Sequence, residues 1–269
     1  MASPIQASGS AGSALPDAFF DRDASELARD LLGKVIRHRV DGLWLAVRII
    51  ETEAYYLEEK GSHASLGYTH KRRALFMDGG VIYMYYARGG DSLNFSAAGP
   101  GNAVLIKSGH PWTDARSGPE ALARMQQLNP DAQGQARLPS RLCAGQTLLC
   151  RSLGLKVPEW DARRFDPDAL YVEDVGDSPQ ALICTTRLGI PPGRDEHLHY
   201  RYVDPPTPRS ARATRCGGGN APDTTTYGWT ARASCCPKTR GRTRARRRRR
   251  PGCVRAARPA FPCTCARCA

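Results

Sequence analysis

The 269-residue sequence predicts one α+β domain built on a largely antiparallel sheet. Three observations predict it. Strand and helix patterns are mixed without the strict βαβ alternation of a parallel sheet. Asp41-Gly42 separates two apolar runs and is a strong hairpin turn signal. The helical stretches carry their own caps and stops, so they are separate and short.

The elements follow in order. Asp23 caps a first helix, with Glu26 completing a capping-box pattern. Leu27, Leu31 and Leu32 give that helix an apolar stripe, and Gly33 ends it. Strands are expected over 34–40 and 43–52, on either side of Asp41-Gly42. Two further strands, rich in Val, Ile and Tyr, are expected over 80–86 and 102–108. Ser117-Gly118-Pro119-Glu120 opens a helix that Asn129-Pro130 closes. A helix over 145–153 ends at Gly154. Short strands are expected over 171–174 and 181–187. No internal repeat is visible.

The formal charge of +13 suggests a nucleic-acid partner, but it is unevenly spread. Residues 205–269 carry 16 Lys and Arg against one acid, Asp223. The first 204 residues carry 23 basic and 25 acidic side chains. Nucleic-acid binding by this near-neutral body therefore needs a local basic stripe. Three scattered cysteines in the body (Cys143, Cys150, Cys184) fit a reducing, cytoplasmic setting. No apolar run approaches the ~20 residues needed to cross a bilayer. Residues 1–14 are Ala/Ser/Gly-rich, lack a secretory pattern and read as a flexible leader.

After Asp204 the composition changes. Residues 205–269 contain no Leu, Ile, Met, Glu, Gln or His. This composition favours out-of-frame translation of a GC-rich gene over two other readings. One is a natural basic tail. The other is a metal site built on Cys263, Cys265 and Cys268, which lacks a repeated C-x-x-C pair. The segment is expected to have no fold, because it cannot bury enough apolar surface to offset its ordering entropy.

Two stretches carry the chemistry. In "IIETEAYY" (Ile49–Tyr56) an apolar strand runs into two carboxylates and two tyrosines. Strict alternation puts Leu43, Leu45, Val47, Ile49, Glu51, Glu53 and Tyr55 on one face. The strand then leaves the core, with Glu53 and Tyr55 at its rim. Both acids also fit ordinary rim carboxylates, and Glu51 suits a structural role. In "GGVIYMYYARGGDSLNFS" (Gly79–Ser96) three tyrosines end a strand, and Arg88 and Gly89-Gly90 follow. Such tyrosines suit cross-strand packing. Rings and cations at a glycine turn also suit base stacking along a nucleic-acid backbone. His63 lies in a Gly/Ser-rich loop, solvated or ligand-facing, and Lys71-Arg72-Arg73 is a basic loop of either kind.

The blocks "VRIIETEAYYLEEKGSHAS", "LFMDGGVIYMYY", "LNFS" and "AVLIKSGHP", in this order and spacing, resemble the alkyladenine, or 3-methyladenine, DNA glycosylase family. So do "ARDLLGK", "RLCAGQTLLC" and "RLGI". The resemblance covers residues 15–204. It implies a single-domain α+β fold with a curved sheet and surrounding helices, similar to the C-terminal domain of formyltransferases. It implies a monofunctional hydrolase that flips alkylated or deaminated purines out of double-stranded DNA, acting as a monomer without cofactor, metal or membrane. The catalytic glutamate then falls on Glu53 and the base-stacking residues on Tyr55, His63 and Tyr85. Asn94 falls at the back of the pocket, where it disfavours guanine by crowding its amino group. Lys107 stands where the family has an arginine near the abasic sugar-phosphate. The intercalating tyrosine falls near Arg88, leaving Arg88 or Tyr86 to fill the gap in the DNA. Phosphate contacts are expected from Lys71, Arg72, Arg73, Arg88 and Lys107. The cell compartment implied is the cytoplasm, at the nucleoid in a prokaryote, or the nucleus in a eukaryote. Two alternatives stand beside this reading: a non-catalytic binding module of the same fold, and an inactive product with a nonspecific basic tail.

Overall fold

The computed structural model describes residues 12–87 and 89–205, and the backbone of 225–228. The chain forms β1 (Ser13–Ala14), α1 (Asp17–Phe20), α2 (Ala24–Asp30), β2 (Val35–Val40) and β3 (Leu43–Tyr55). Two 3-10 turns follow, Ala64–Leu66 and His70–Phe76. Then come β4 (Ile82–Ala87), β5 (Gly90–Ser96), β6 (Ala103–Pro111), α3 (Pro119–Leu128), α4 (Pro139–Leu142), α5 (Gln146–Leu153) and α6 (Val157–Trp160). The last strands are β7 (Leu170–Asp174), β8 (Ala181–Thr185), β9 (Arg201–Val203) and β10 (Thr225–Gly228).

Among the described residues the strands form one sheet in the order β1-β7-β2-β3-β6-β5-β4. Every pairing is antiparallel. The hub is β3. It pairs with β2 over residues 43–48, with β6 along its other edge, and with β9 over 51–53. β8 and then β10 extend the branch from β9. Both faces of this central strand are covered, which is why its apolar run is nearly continuous.

The main core lies where α2 and α5 pack on β3, β5 and β6. Asp23 caps α2 by accepting from the N–H groups of Ser25 and Glu26, and Leu27, Leu31 and Leu32 point inward as expected. Losing one of those leucine side chains would cost about 2–5 kcal/mol. A smaller cluster of Ala64, Ala74, Leu75, Val81, Tyr83 and Ala103 lies beneath the 3-10 turns. It supports the candidate site.

The structure differs from the sequence reading in four places. The alternation on β3 inverts. Leu45, Val47 and Ile49 belong to the main core, but so does Ala54, and Thr52 Oγ1 donates to the Ala28 carbonyl of α2. The register skips Ile50 on β3 and Lys107 on β6, with irregularities on both sides of Glu51. Such an irregularity re-aims side chains, so Glu51, Glu53 and Tyr55 face away from the core that Ile49 faces. Glu53 is therefore not a rim residue.

Second, Gly90–Ser96 is a strand. Gly89 turns the β4–β5 hairpin with φ +78°. A Cβ on Gly90 would lie 2.8 Å from Thr147 Cβ, so the close approach there is to α5. Third, Ser13-Ala14, assigned to the leader, pairs with Glu173 and Asp174. Fourth, Thr225–Gly228, assigned to an unfolded tail, pairs with β8. Both segments meet free strand edges, which recruit extended chain. The rest of the expected leader and tail, with the Cys263–Cys268 reading, lies outside the described residues.

Candidate active site

Glu53 is fully buried near the end of β3. Three donors serve its two oxygens. Tyr55 Oη donates to Oε2 at 2.8 Å, the Leu188 N–H donates to Oε1 at 3.1 Å, and Lys107 Nζ lies 3.3 Å from Oε1. Burial, and then the neighbouring Glu53 charge, hold the Tyr55 phenol well above its ordinary pKa. Tyr55 therefore stays a donor. Unlike Tyr55 and Lys107, Glu53 is not part of the cavity wall beside it. The carboxylate sits one layer back, reached past these two side chains.

That cavity holds about 410 Å³ and is lined by Tyr55, His63, Tyr83, Tyr85, Asn94 and Lys107 together with the 188–191 segment. A volume of this order suits a small organic ligand. Tyr83 and Tyr85 share one face of β4, as alternate strand residues must. Their rings stack with centroids 5.5 Å apart. The His63 ring meets Tyr85 edge-on at 4.4 Å. Its Nδ1 lies 3.1 Å from Tyr83 Oη. Desolvation against these rings, then repulsion from Arg72 and Arg194, hold His63 below its ordinary pKa. The imidazole is neutral at pH 7, and its Nδ1 shares a hydrogen bond with Tyr83 Oη. Asn94 is buried on β5 and donates from Nδ2 to the Tyr83 carbonyl at 3.1 Å, which fixes the amide in the wall.

One wall residue depends on a partner that sequence reasoning missed. The Arg187 guanidinium carbon lies 4.5 Å from the Tyr55 ring centroid. Arg187 also donates to the Ala54 carbonyl at 2.9 Å and pairs with Glu59. Its place in the quoted "RLGI" block was the available signal, but nothing local tied it to Tyr55. Gln146, which donates to Ser92 Oγ from the cavity wall, was likewise signalled only by its place in the quoted "RLCAGQTLLC" block.

The basic residues divide. Lys107 lines the cavity. Lys71 is exposed in the 70–76 turn. Arg72 is bonded to the carbonyls of Leu66 and Gly67, and Arg73 to the His70 carbonyl, with Asp161 at 3.5 Å. These two arginines brace their own loop as well as carrying charge. Arg88 lies outside the described residues. Its neighbour Tyr86 is 66% exposed at the end of β4.

Comparison with known proteins completes the picture. The profile of the methylpurine-DNA glycosylase family matches residues 18–208. A protein of Pseudomonas savastanoi pv. phaseolicola is 77% identical over 71% of this chain and 86% of its own length. One from Pseudomonas aeruginosa is 75% identical over 71% of this chain and 80% of its own length. An archaeal protein of Methanocella arvoryzae is 34% identical over 72% of this chain and 94% of its own length. All three carry the provisional name 3-methyladenine DNA glycosylase. This chain belongs to the methylpurine-DNA glycosylase family, and is a monofunctional DNA N-glycosylase of base-excision repair that acts on damaged DNA.

Proposed function

We propose that the enzyme flips 3-methyladenine and hypoxanthine-type purines out of duplex DNA and hydrolyses the N-glycosidic bond with a water oriented by Glu53. One observation carries this reading. Rings from two separate strands, β3 and β4, wall a single cavity, and a buried carboxylate stands directly behind it. Extrusion costs a few kcal/mol, and stacking against Tyr55 on one side and His63 with Tyr85 on the other recovers ~1–3 kcal/mol. A neutral His63 faces a cationic alkylpurine without repulsion. Asn94, held by the Tyr83 carbonyl, crowds the amino group of normal guanine.

Chemistry needs a water beside Glu53. In the free enzyme Lys107 occupies Oε1. A DNA phosphate draws Lys107 away, and water takes its place. The water oxygen then bonds to C1′ and passes a proton to Glu53, while the C1′–N electron pair leaves with the base. The Glu53 charge steadies the oxocarbenium-like transition state. Tyr86 fills the gap in the stack, and the Lys71–Arg73 turn and Lys107 track phosphates. The protein acts as a monomer in the cytoplasm, a setting that suits the three buried free thiols among the described residues.

The burial of Glu53 favours a second reading, in which the carboxylate only holds Tyr55 and the 188 segment in place and the water is oriented elsewhere. One experiment separates them. Glu53→Gln is expected to lower release of 3-methyladenine and hypoxanthine by about 10²–10⁴-fold, with binding to lesion-bearing duplex retained. Full release by that variant removes Glu53 from the mechanism and establishes the second reading.

A further inference from the structure

Arg187 lies between two rings. Its guanidinium carbon is 4.5 Å from the centroid of Tyr55 and 5.6 Å from that of Tyr200. Its side chain is fully buried. Tyr55 and Leu188 line the cavity and Arg187 does not. The guanidinium therefore covers the face of Tyr55 turned away from the cavity. One ring carries a cation behind it and, by the reading above, a purine in front.

A ring's two faces share one π system. A cation on one face withdraws density and adds repulsion for a second cation on the other. Arg187 alone would thus make Tyr55 a poorer platform for a positively charged base. Its counter-charge is Glu59, whose Oε2 pairs with Arg187 Nη1. That pair is also incompletely bonded: Arg187 Nε and Nη2 and Glu59 Oε1 have no hydrogen-bond partner among the described residues. Burial, against the pull of Arg187, pushes the Glu59 carboxyl up to about 7, with the Asp195 and Glu58 charges adding to the rise. The charge behind Tyr55 is thus finely balanced.

We propose that Glu59 is a specificity-determining residue: by offsetting the Arg187 charge behind Tyr55, it keeps the cavity face of that ring attractive to cationic purines and sets the preference for cationic over neutral lesions. The inference rests on Tyr55 being a base-stacking wall. Arg187 itself is required for another reason. It holds the Ala54 carbonyl between Glu53 and Tyr55, and the next N–H in the chain, that of Leu188, holds Glu53.

The test is a ratio of two rates on one protein preparation, so the folded fraction cancels. Single-turnover release of 7-methylguanine, which is cationic in DNA, is compared with release of neutral hypoxanthine from the same duplex sequence. Glu59→Gln is expected to lower the ratio by about threefold to tenfold, the size of a cation–π interaction. The double exchange Glu59→Gln with Arg187→Gln is expected to restore it, since both charges are gone. An unchanged ratio, or an equal fall in both rates, overturns the proposal. Where Glu59→Gln does not fold, Arg187→Gln alone carries the test, with a ratio at or above wild type expected and a fall decisive against it. The underlying reading fails separately, if Tyr55→Leu leaves both rates at the wild-type level.

Discussion

Glu51 and Glu53 lie two residues apart on the same strand, both are buried, and both pair with a cation, yet their surroundings differ. Glu51 accepts from Arg201 Nε at 2.6 Å and from Ser108 Oγ at 2.7 Å. Arg201 is on β9, so this pair staples β9 and β6 to opposite edges of β3. Glu53 instead pairs with a lysine whose other side is the cavity. An arginine inside the sheet fixes structure, whereas a lysine on a cavity wall can exchange its carboxylate for a phosphate. The partner's location, more than burial, separates a structural acid from the one proposed to do the chemistry.

The contrast can be broken most directly at the structural acid. Glu51→Gln should destabilise the fold by about 3–5 kcal/mol, because it removes the charge that the buried Arg201 guanidinium pairs with. Release rate per folded molecule should be kept. Urea unfolding and active-site titration measure the two, and a stable but inactive variant would give Glu51 a share of the chemistry. A smaller effect is expected at the lysine that pairs with Glu53. Lys107→Gln should weaken DNA binding about tenfold at physiological salt and lower the salt slope by about one. Titrations at several salt concentrations would show it, and an unaltered slope would mean that Lys107 never meets a phosphate. The smallest effect concerns the opposite wall. With its pKa held down, His63 is neutral above pH 6.5, the ordinary value, and gains its proton only as pH falls through the lower folded value. In the Glu59→Gln variant, which removes the carboxyl held at about 7, release of a cationic base should therefore be flat through pH 6.5 and fall only below it. An NMR midpoint for His63 at or above 6.5 would contradict this.

Much of the fold was legible because local signals were strong. Asp41-Gly42, the Asp23 cap, Pro119 at the start of α3 and left-handed Gly154 each mark a boundary where the structure has one. β5 was missed because Gly89-Gly90 read as a turn, and only the partner strands on both sides make the segment extended. Of the site, Tyr55, His63, Tyr85 and Asn94, each singled out in the sequence, line one cavity. The burial of Glu53 was hidden. Its cover comes from Lys107 and Leu188, distant in sequence, and no period within β3 announces them.

The skipped pairing at Ile50 has a consequence for what this strand can present. Upstream of it odd-numbered side chains point toward the main core, and downstream even-numbered ones do. The same residues on an uninterrupted strand would swap inside for outside along the following five positions. Two carboxylates and a phenol would then be driven into packed hydrocarbon, while a threonine and an alanine would be left facing the cavity. One extra residue in the ladder, rather than any side chain, decides which side of the sheet the acids occupy.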